Sequence, residues 1–171
     1  GSLSGTQILI TAGPTREPID PVRYLTNYSS GKMGFSLSEA ACAAGAKVTL
    51  VAGPVNLRTP ENVTRHNVES AQNMFEACLD IISSIDIFIC CAAIADYRPA
   101  HEEPQKIKKK NDSFQLKMVR TPDILSAISS RPENIFCVGF AAETENLLQN
   151  ARIKLFTKQL DLIVANDVSN R

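Results

Sequence analysis

Apolar residues fall along this chain in short blocks whose spacing switches between strand-like and helix-like. Gln7 to Thr11 (QILIT) is a β-branched run stopped by Ala12-Gly13-Pro14, which predicts a strand and a turn. Gly13 to Ser30 carries no period. Gly31 then opens a predicted helix with Met33, Leu37, Ala40, Ala41 and Ala44 on one face and Gly45 as its cap. Lys47 to Ala52 reads as a strand closed by Gly53-Pro54, and Val63 to Val68 as a weaker one. From Ser70, an N-cap, a second stripe runs through Ala71, Met74, Phe75, Cys78, Leu79 and Ile82. Asp86 to Ala95 (DIFICCAAIA) is nearly all apolar, the pattern of a strand covered on both faces of a parallel sheet. Asp96 to Arg120 loses its period and reads as a flap with a short strand at Phe114 to Met118. Thr121-Pro122-Asp123 predicts a helix start: Thr121 as N-cap, Pro122 in the first position, an acid near the positive end. Ile135 to Phe140 is another buried-type strand, Glu145 to Lys158 a helix, and Leu160 to Ala165 a last strand.

Strands alternating with helices imply right-handed crossovers and a parallel sheet covered on both sides. The expectation is an α/β fold, Rossmann-like, with three αβα layers, a mainly parallel sheet and a lysine-rich flap, in one domain over residues 1–171. Ligands of such sheets bind beyond the carboxyl ends of the strands. Three predicted strand ends carry polar chemistry, Gly13-Pro14-Thr15-Arg16, Asp96-Tyr97-Arg98 and Asn166-Asp167, and should share one rim.

Charge narrows the choice of partners. Eighteen Lys and Arg balance eighteen Asp and Glu, so no global field draws nucleic acid or a membrane surface, and any anion site is local. No stretch approaches the ~18 uninterrupted apolar residues of a spanning helix. Five cysteines without a C-x-x-C pair make neither a disulfide framework nor a zinc pattern. They read as small buried hydrophobes of a reduced, cytoplasmic protein, and with two histidines no metal ligand set is assigned.

Two common nucleotide motifs fail. The first strand and turn lack G-x-G-x-x-G, and the second strand ends Val51-Ala52-Gly53 without the acid a dinucleotide fingerprint needs. Walker A fails because Gly31-Lys32 is followed by Met33. What remains is Ser29-Ser30-Gly31-Lys32 at a helix start, a candidate phosphate nest, although a plain N-cap accounts for the serines equally well. Lys106-Ile107-Lys108-Lys109-Lys110 is either a solvated charged loop or a mobile flap that closes over polyphosphate. Lys154 and Lys158 stand i, i+4 on one helix, a like-charge pair that alone reads as a solvent face. Phe140 alone reads as core, and Asp123 as serving its helix dipole.

The stretches ITAGPTREPIDPVRYLTNYSSGKMG (10–34), AAIADYRP (92–99), KIKKK (106–110), TPDIL (121–125), GFAAET (139–144) and DLIVANDVS (161–169) together resemble phosphopantothenate–cysteine ligase of the bacterial, CTP-using type. The likeness runs in matching order from Gln7 onward. It implies activation of the 4′-phosphopantothenate carboxylate by CTP, giving an acyl-cytidylate and pyrophosphate. The amine of L-cysteine then displaces CMP, a step in coenzyme A synthesis. It further implies Mg²⁺ with the CTP, a homodimer, and a fused N-terminal decarboxylase domain in many relatives, with FMN belonging to that domain only. About fifty residues normally follow the A-N-D-V-S motif, so the expectation is a domain lacking that C-terminal part.

By the same resemblance, Cys90, Cys91 and Ala92 line the nucleotide site with main-chain groups and Asp96 holds the nucleotide. Pro122, Asp123, Ile124 and Leu125 match the cytosine-side segment, and Phe140 an aromatic near the base. Lys154 and Lys158 match triphosphate-binding lysines, and Lys106 the flap lysine tied to the chemistry. Asn27 matches the asparagine that engages the acyl-nucleotide. Arg23 and Ala93 match substrate positions near the dimer partner. Two rival readings are a nicotinamide-dependent oxidoreductase, which the missing glycines and acid oppose, and a non-catalytic nucleotide-binding module.

Overall fold

The computed structural model describes residues 1–169. Its centre is β1 (Gln7–Ala12), flanked in parallel by β4 (Lys47–Ala52) and β6 (Ile87–Cys90). Outward from β4 lies β5 (Thr64–Asn67); outward from β6 lie β9 (Phe136–Glu143) and β10 (Leu162–Asp167). All pairings in this six-stranded sheet are parallel, and its order is β10-β9-β6-β1-β4-β5. Counted along the chain, that is the 3-2-1-4-5-6 order of a Rossmann-like fold, with the order reversing between β1 and β6.

Alternation along β1 splits the core into two layers. Ile8, Ile10 and Ala12 face a cluster with Phe35, Val48 and Leu50; Leu9 faces the other, with Val51, Met74, Cys78, Phe88 and Ile128. Each fully buried aliphatic side chain contributes about 1.5–3 kcal/mol, so the central strand anchors both layers. Helix α1 (Lys32–Ala43) covers the first face; α2 (Ala71–Ile81) and α3 (Ile124–Ser129) cover the second. Helix α4 (Leu147–Thr157) packs on β9 and β10.

The second helix follows its predicted stripe, and Ser70 caps it reciprocally with Asn73. The first does not. Its buried residues are Gly34, Phe35, Ser38 and Ala41, while Met33 is half exposed. The reason is close approach: a Cβ on Gly34 would stand 2.4 Å from the Cβ of Ala12, so a small residue sits where the stripe wanted an apolar one. Ser38 is buried because its hydroxyl donates to the Gly34 carbonyl at 2.8 Å.

Other differences concern the connections. The aperiodic Gly13–Ser30 stretch contains an antiparallel hairpin, β2 (Arg16–Asp20) and β3 (Arg23–Thr26). Its side chains meet a ribbon's neighbours rather than a sheet face, so no clean alternation marks it. The strand expected over Asp86–Ala95 ends at Cys90, and the residues after it leave the sheet. The short flap strand is β8 (Met118–Arg120), later than Phe114–Met118, and pairs with β7 (Tyr97–Pro99). Thr121 does not cap α3. Asp123 does, accepting from the Ser126 amide at 3.1 Å, and Pro122 lies outside the helix.

What leaves the sheet after β6 is stitched to the end of β1. The Thr11 hydroxyl accepts from the Ala92 amide (3.3 Å), the Gly13 carbonyl from the Ala93 amide (2.9 Å), and the Thr15 hydroxyl from the Ala95 amide (3.0 Å). Thr11 and Thr15 are fully buried, and Pro14 makes an isolated bridge to Ala93. Two predictions follow from this packing. Gly34→Ala should lose about 1–3 kcal/mol of stability by overpacking, much of it restored in an Ala12→Gly background; urea denaturation of the double-mutant cycle checks it. Thr15→Val leaves the Ala95 amide without its buried acceptor and should cost about 1–3 kcal/mol by the same measurement.

Candidate functional site

A cleft of about 140 Å³ opens beyond the carboxyl ends of β6 and β9. Its wall on the β6 side is Cys90, Ala92, Ile94 and Asp96, the stitched segment. Thr121 extends that wall: its hydroxyl donates to the Ala95 carbonyl at 2.6 Å, and its amide to the Asp96 carbonyl at 3.0 Å. Pro122 to Leu125 form the floor at the start of α3, Phe140 ends β9, and Lys154 and Lys158 reach in from α4 and its cap. Ten of the twelve residues expected at a nucleotide therefore line one cleft. Cys91 and Lys106 do not.

The two lysines differ. Lys154 donates to the Phe140 carbonyl, and burial, followed by the neighbouring Lys158 ammonium, pulls it below the ordinary lysine range. Lys158 pairs with Asp123 Oδ2 at 3.3 Å. Burial pushes the Asp123 carboxyl up, but the Ser126 amide and hydroxyl and the Lys158 ammonium outweigh it and hold the group low. One carboxylate thus caps α3 and holds a cleft lysine. Arg120, also at the cleft, stacks on the Tyr97 ring with 5.6 Å to the centroid. The sequence reading missed Arg120, Ile94 and Thr121; its one signal for them was adjacency to T-P-D-I-L and A-D-Y-R.

Cys90 lines the cleft, and burial raises its thiol; Cys91 is pushed up to about 11 by burial and the neighbouring Cys90. Both are therefore thiols, not thiolates, at neutral pH, and the described residues contain no disulfide.

Of the three residues expected at the substrate, Asn27 and Ala93 lie at the stitched segment and Arg23 at the flap. The exposed Asn27 donates its amide to the Ile94 carbonyl at 3.2 Å, which ties it to a wall of the cleft. Ala93 sits in the stitched segment. Arg23 pairs with Asp20 at 2.9 Å and donates to the Ile107 carbonyl at 3.3 Å. Lys106 is exposed on the flap beside that contact.

Two nest residues, Ser29 and Ser30, lie apart at a second cleft of about 600 Å³ on the β4 side, with Arg16 and Arg65, while Lys32 lines a different cleft. The Ser29 hydroxyl accepts from the Gly31 amide at 3.2 Å, and the Ser30 hydroxyl from the Lys32 amide at 3.3 Å. Two amides of the nest are thus engaged locally, with Gly31 left-handed at φ 77°. Among the described residues no group of three or more His, Cys, Asp or Glu is placed to hold a metal ion. No helix among them is long and apolar enough to cross a membrane.

Known proteins resemble this arrangement throughout. The coenzyme A biosynthesis bifunctional protein CoaBC of Vibrio vulnificus strain YJ016 is 58% identical over 98% of this chain. That of Escherichia coli strain K12 is 52% identical over 98% of the chain. The chain spans 42% of the length of each of these relatives. A crystal structure of the C-terminal domain of a CoaBC protein superposes with a TM-score of 0.87 at 46% identity, covering 97% of this chain and 79% of that one. With a family match over residues 3–171 added to these likenesses, the chain belongs to the DNA/pantothenate metabolism flavoprotein C-terminal domain family.

Proposed function

We propose that the chain is a CTP-dependent phosphopantothenate–cysteine ligase of coenzyme A biosynthesis. The observation that carries this reading is the convergence of ten motif-borne residues, two of them lysines, on one cleft at the sheet's carboxyl edge. In a family whose CoaBC relatives are named for coenzyme A biosynthesis, that cleft is suited to a nucleoside triphosphate. On this reading the base lies between the α3 start and Phe140, with the phosphates toward Lys154 and Lys158.

The chemistry needs such a site. A carboxylate and an ammonium ion do not condense at neutral pH without a leaving group. The phosphopantothenate carboxylate attacks the α-phosphorus of CTP, pyrophosphate departs, and an acyl-cytidylate forms. The cysteine amine then attacks the acyl carbon, and CMP leaves as the amide forms. Negative charge builds at the α-phosphate in the first step, where fixed ammonium groups in a poorly hydrated cleft stabilise the transition state most. Lys106 is assigned to that charge, Asn27 to the acyl-nucleotide, and Arg23 and Ala93 to the substrate. Mg²⁺ fits a place on the triphosphate, since the described residues offer no three-ligand protein cage. On the same reading the protein works as a cytoplasmic homodimer, and FMN enters only where an N-terminal decarboxylase domain is fused to the ligase domain.

Pyrophosphate release with phosphopantothenate, Mg²⁺ and either CTP or ATP, with and without cysteine, tests this. CTP-dependent release is expected, with CMP and amide appearing when cysteine is added; release with neither nucleotide, despite a folded chain, overturns it. Lys106→Gln should lower turnover ~10²–10³-fold, the effect of losing one transition-state donor, and a drop under about threefold removes Lys106 from the chemistry. Burial and the neighbouring Lys158 hold Lys154 below an ordinary lysine, so CTP affinity should weaken as pH rises, starting before the ordinary ~10.4. Lys154→Arg should move that loss to higher pH, as calorimetric titration across pH would record.

A further inference from the structure

The four lysines of the flap's K-I-K-K-K run are not equivalent in the structure. The flap backbone is fixed to the hairpin at two points: the Glu103 amide donates to the Ile19 carbonyl at 2.9 Å, and the Ile107 amide to Asp20 Oδ2 at 3.0 Å. Lys106 lies on the short arch between them. Residues 108–116, which hold the other three lysines, make no hydrogen bond to the described residues. The Asp20 side chain is fully shielded from solvent. Besides Ile107 it accepts from the Val22 amide (2.9 Å) and the Arg23 amide (3.0 Å), and it pairs with Arg23 Nε (2.9 Å). The Arg23 guanidinium closes a ring by donating to the Ile107 carbonyl.

We propose that Asp20 is a positioning residue that fixes Lys106 for the chemical step by holding the Ile107 amide. The proposal deepens the ligase reading and rests on it for its catalytic consequence. A buried carboxylate with four donors is a stiff acceptor, because every alternative partner has been removed from it along with water. A lysine on an unanchored loop would sample many positions, and the ordering would have to be done during the reaction. Asp20 removes that for Lys106 alone. Since Arg23 shares the ring, the substrate-side cation and the flap lysine are set by one carboxylate. Burial pushes Asp20 up, yet the amides of Ile107, Val22 and Arg23 and the Arg23 charge outweigh it, so the latch stays ionised at neutral pH.

The lysines supply a direct readout, since trypsin cuts after each. In the native chain, cleavage after Lys110 should outpace cleavage after Lys106, whose following amide is held. In Asp20→Asn, which keeps the shape but loses the charge, cleavage after Lys106 relative to Lys110 should rise about tenfold. A merely less stable fold would raise both alike. In the same variant kcat for pyrophosphate release should fall about tenfold, with KM for CTP within about twofold. An unchanged cleavage ratio in folded Asp20→Asn overturns the proposal, and so does a raised ratio with kcat intact. If that variant does not fold, amide exchange of the native chain decides. Ile107 protected while Lys108 to Lys110 exchange freely supports the latch, and equal exchange overturns it. Failure of the native chain to release pyrophosphate with either nucleotide would defeat the ligase reading, while the cleavage and exchange results would still report on the latch.

Discussion

The site depends on how β1 treats the chain leaving β6. In a sheet of this order the crevice where the order reverses, between β1 and β6, is the usual ligand position. Here alternate residues Thr11, Gly13 and Thr15 accept from the Ala92, Ala93 and Ala95 amides of the departing segment, and Pro14 bridges Ala93. The crevice is filled by backbone. The groove that remains lies one strand further out, between β6 and β9, and its inner wall is the other side of the stitched segment. Buried threonines are needed because each amide turned inward must find an acceptor where water is absent.

Charge in the cleft is arranged by desolvation more than by number. The chain is neutral overall, and its densest lysine run lies outside the cleft. The cleft instead uses Lys154, whose ammonium is partly stripped of water and held by a backbone carbonyl, and Lys158, held by the carboxylate that caps α3. A poorly hydrated cation gains more from an incoming phosphate than a solvated one, because less water must be displaced and the local dielectric is lower. Asp123 is the hinge of this arrangement. Its bonds to Ser126 keep it ionised, and its ionised form keeps Lys158 in place until a stronger anion arrives.

How far this was legible in the residues varied with the kind of constraint. The parallel order and the two-layer core follow from strands such as Ile8–Ala12 and Ile87–Cys90, where cover on both faces leaves an unbroken, mostly apolar run. The second helix followed its stripe because packing of apolar side chains set its face. The first helix did not, because backbone contact at Gly34 set its face, and a glycine adds nothing to an apolar period. The β2–β3 hairpin was invisible because its alternation is broken by Pro18, Asp20 and the bulge between them. Motif resemblance named the cleft residues, yet it could not reveal that Thr121 bonds the Asp96 and Ala95 carbonyls through its amide and hydroxyl. Lys106 was legible as a charge and not as a position, since its place depends on a carboxylate 86 residues earlier in the chain.

That dependence links the two halves of the rim. The hairpin carries Asn27 at one end, bonded to the Ile94 carbonyl in the cleft wall, and Asp20 at the other, bonded to the flap. Glu17, buried within the same hairpin, accepts from the first amide of α2, which fixes the hairpin to the body of the domain. A ribbon held rigid at its middle and bonded to a different element at each end transmits position between those elements without moving. The cleft wall, Asn27, Arg23 and the Lys106 arch are therefore referred to one frame, although the chain segments that supply them are far apart. On the proposed ligase reading, two successive attacks must be aligned within one site, and that needs a shared reference more than it needs additional charge.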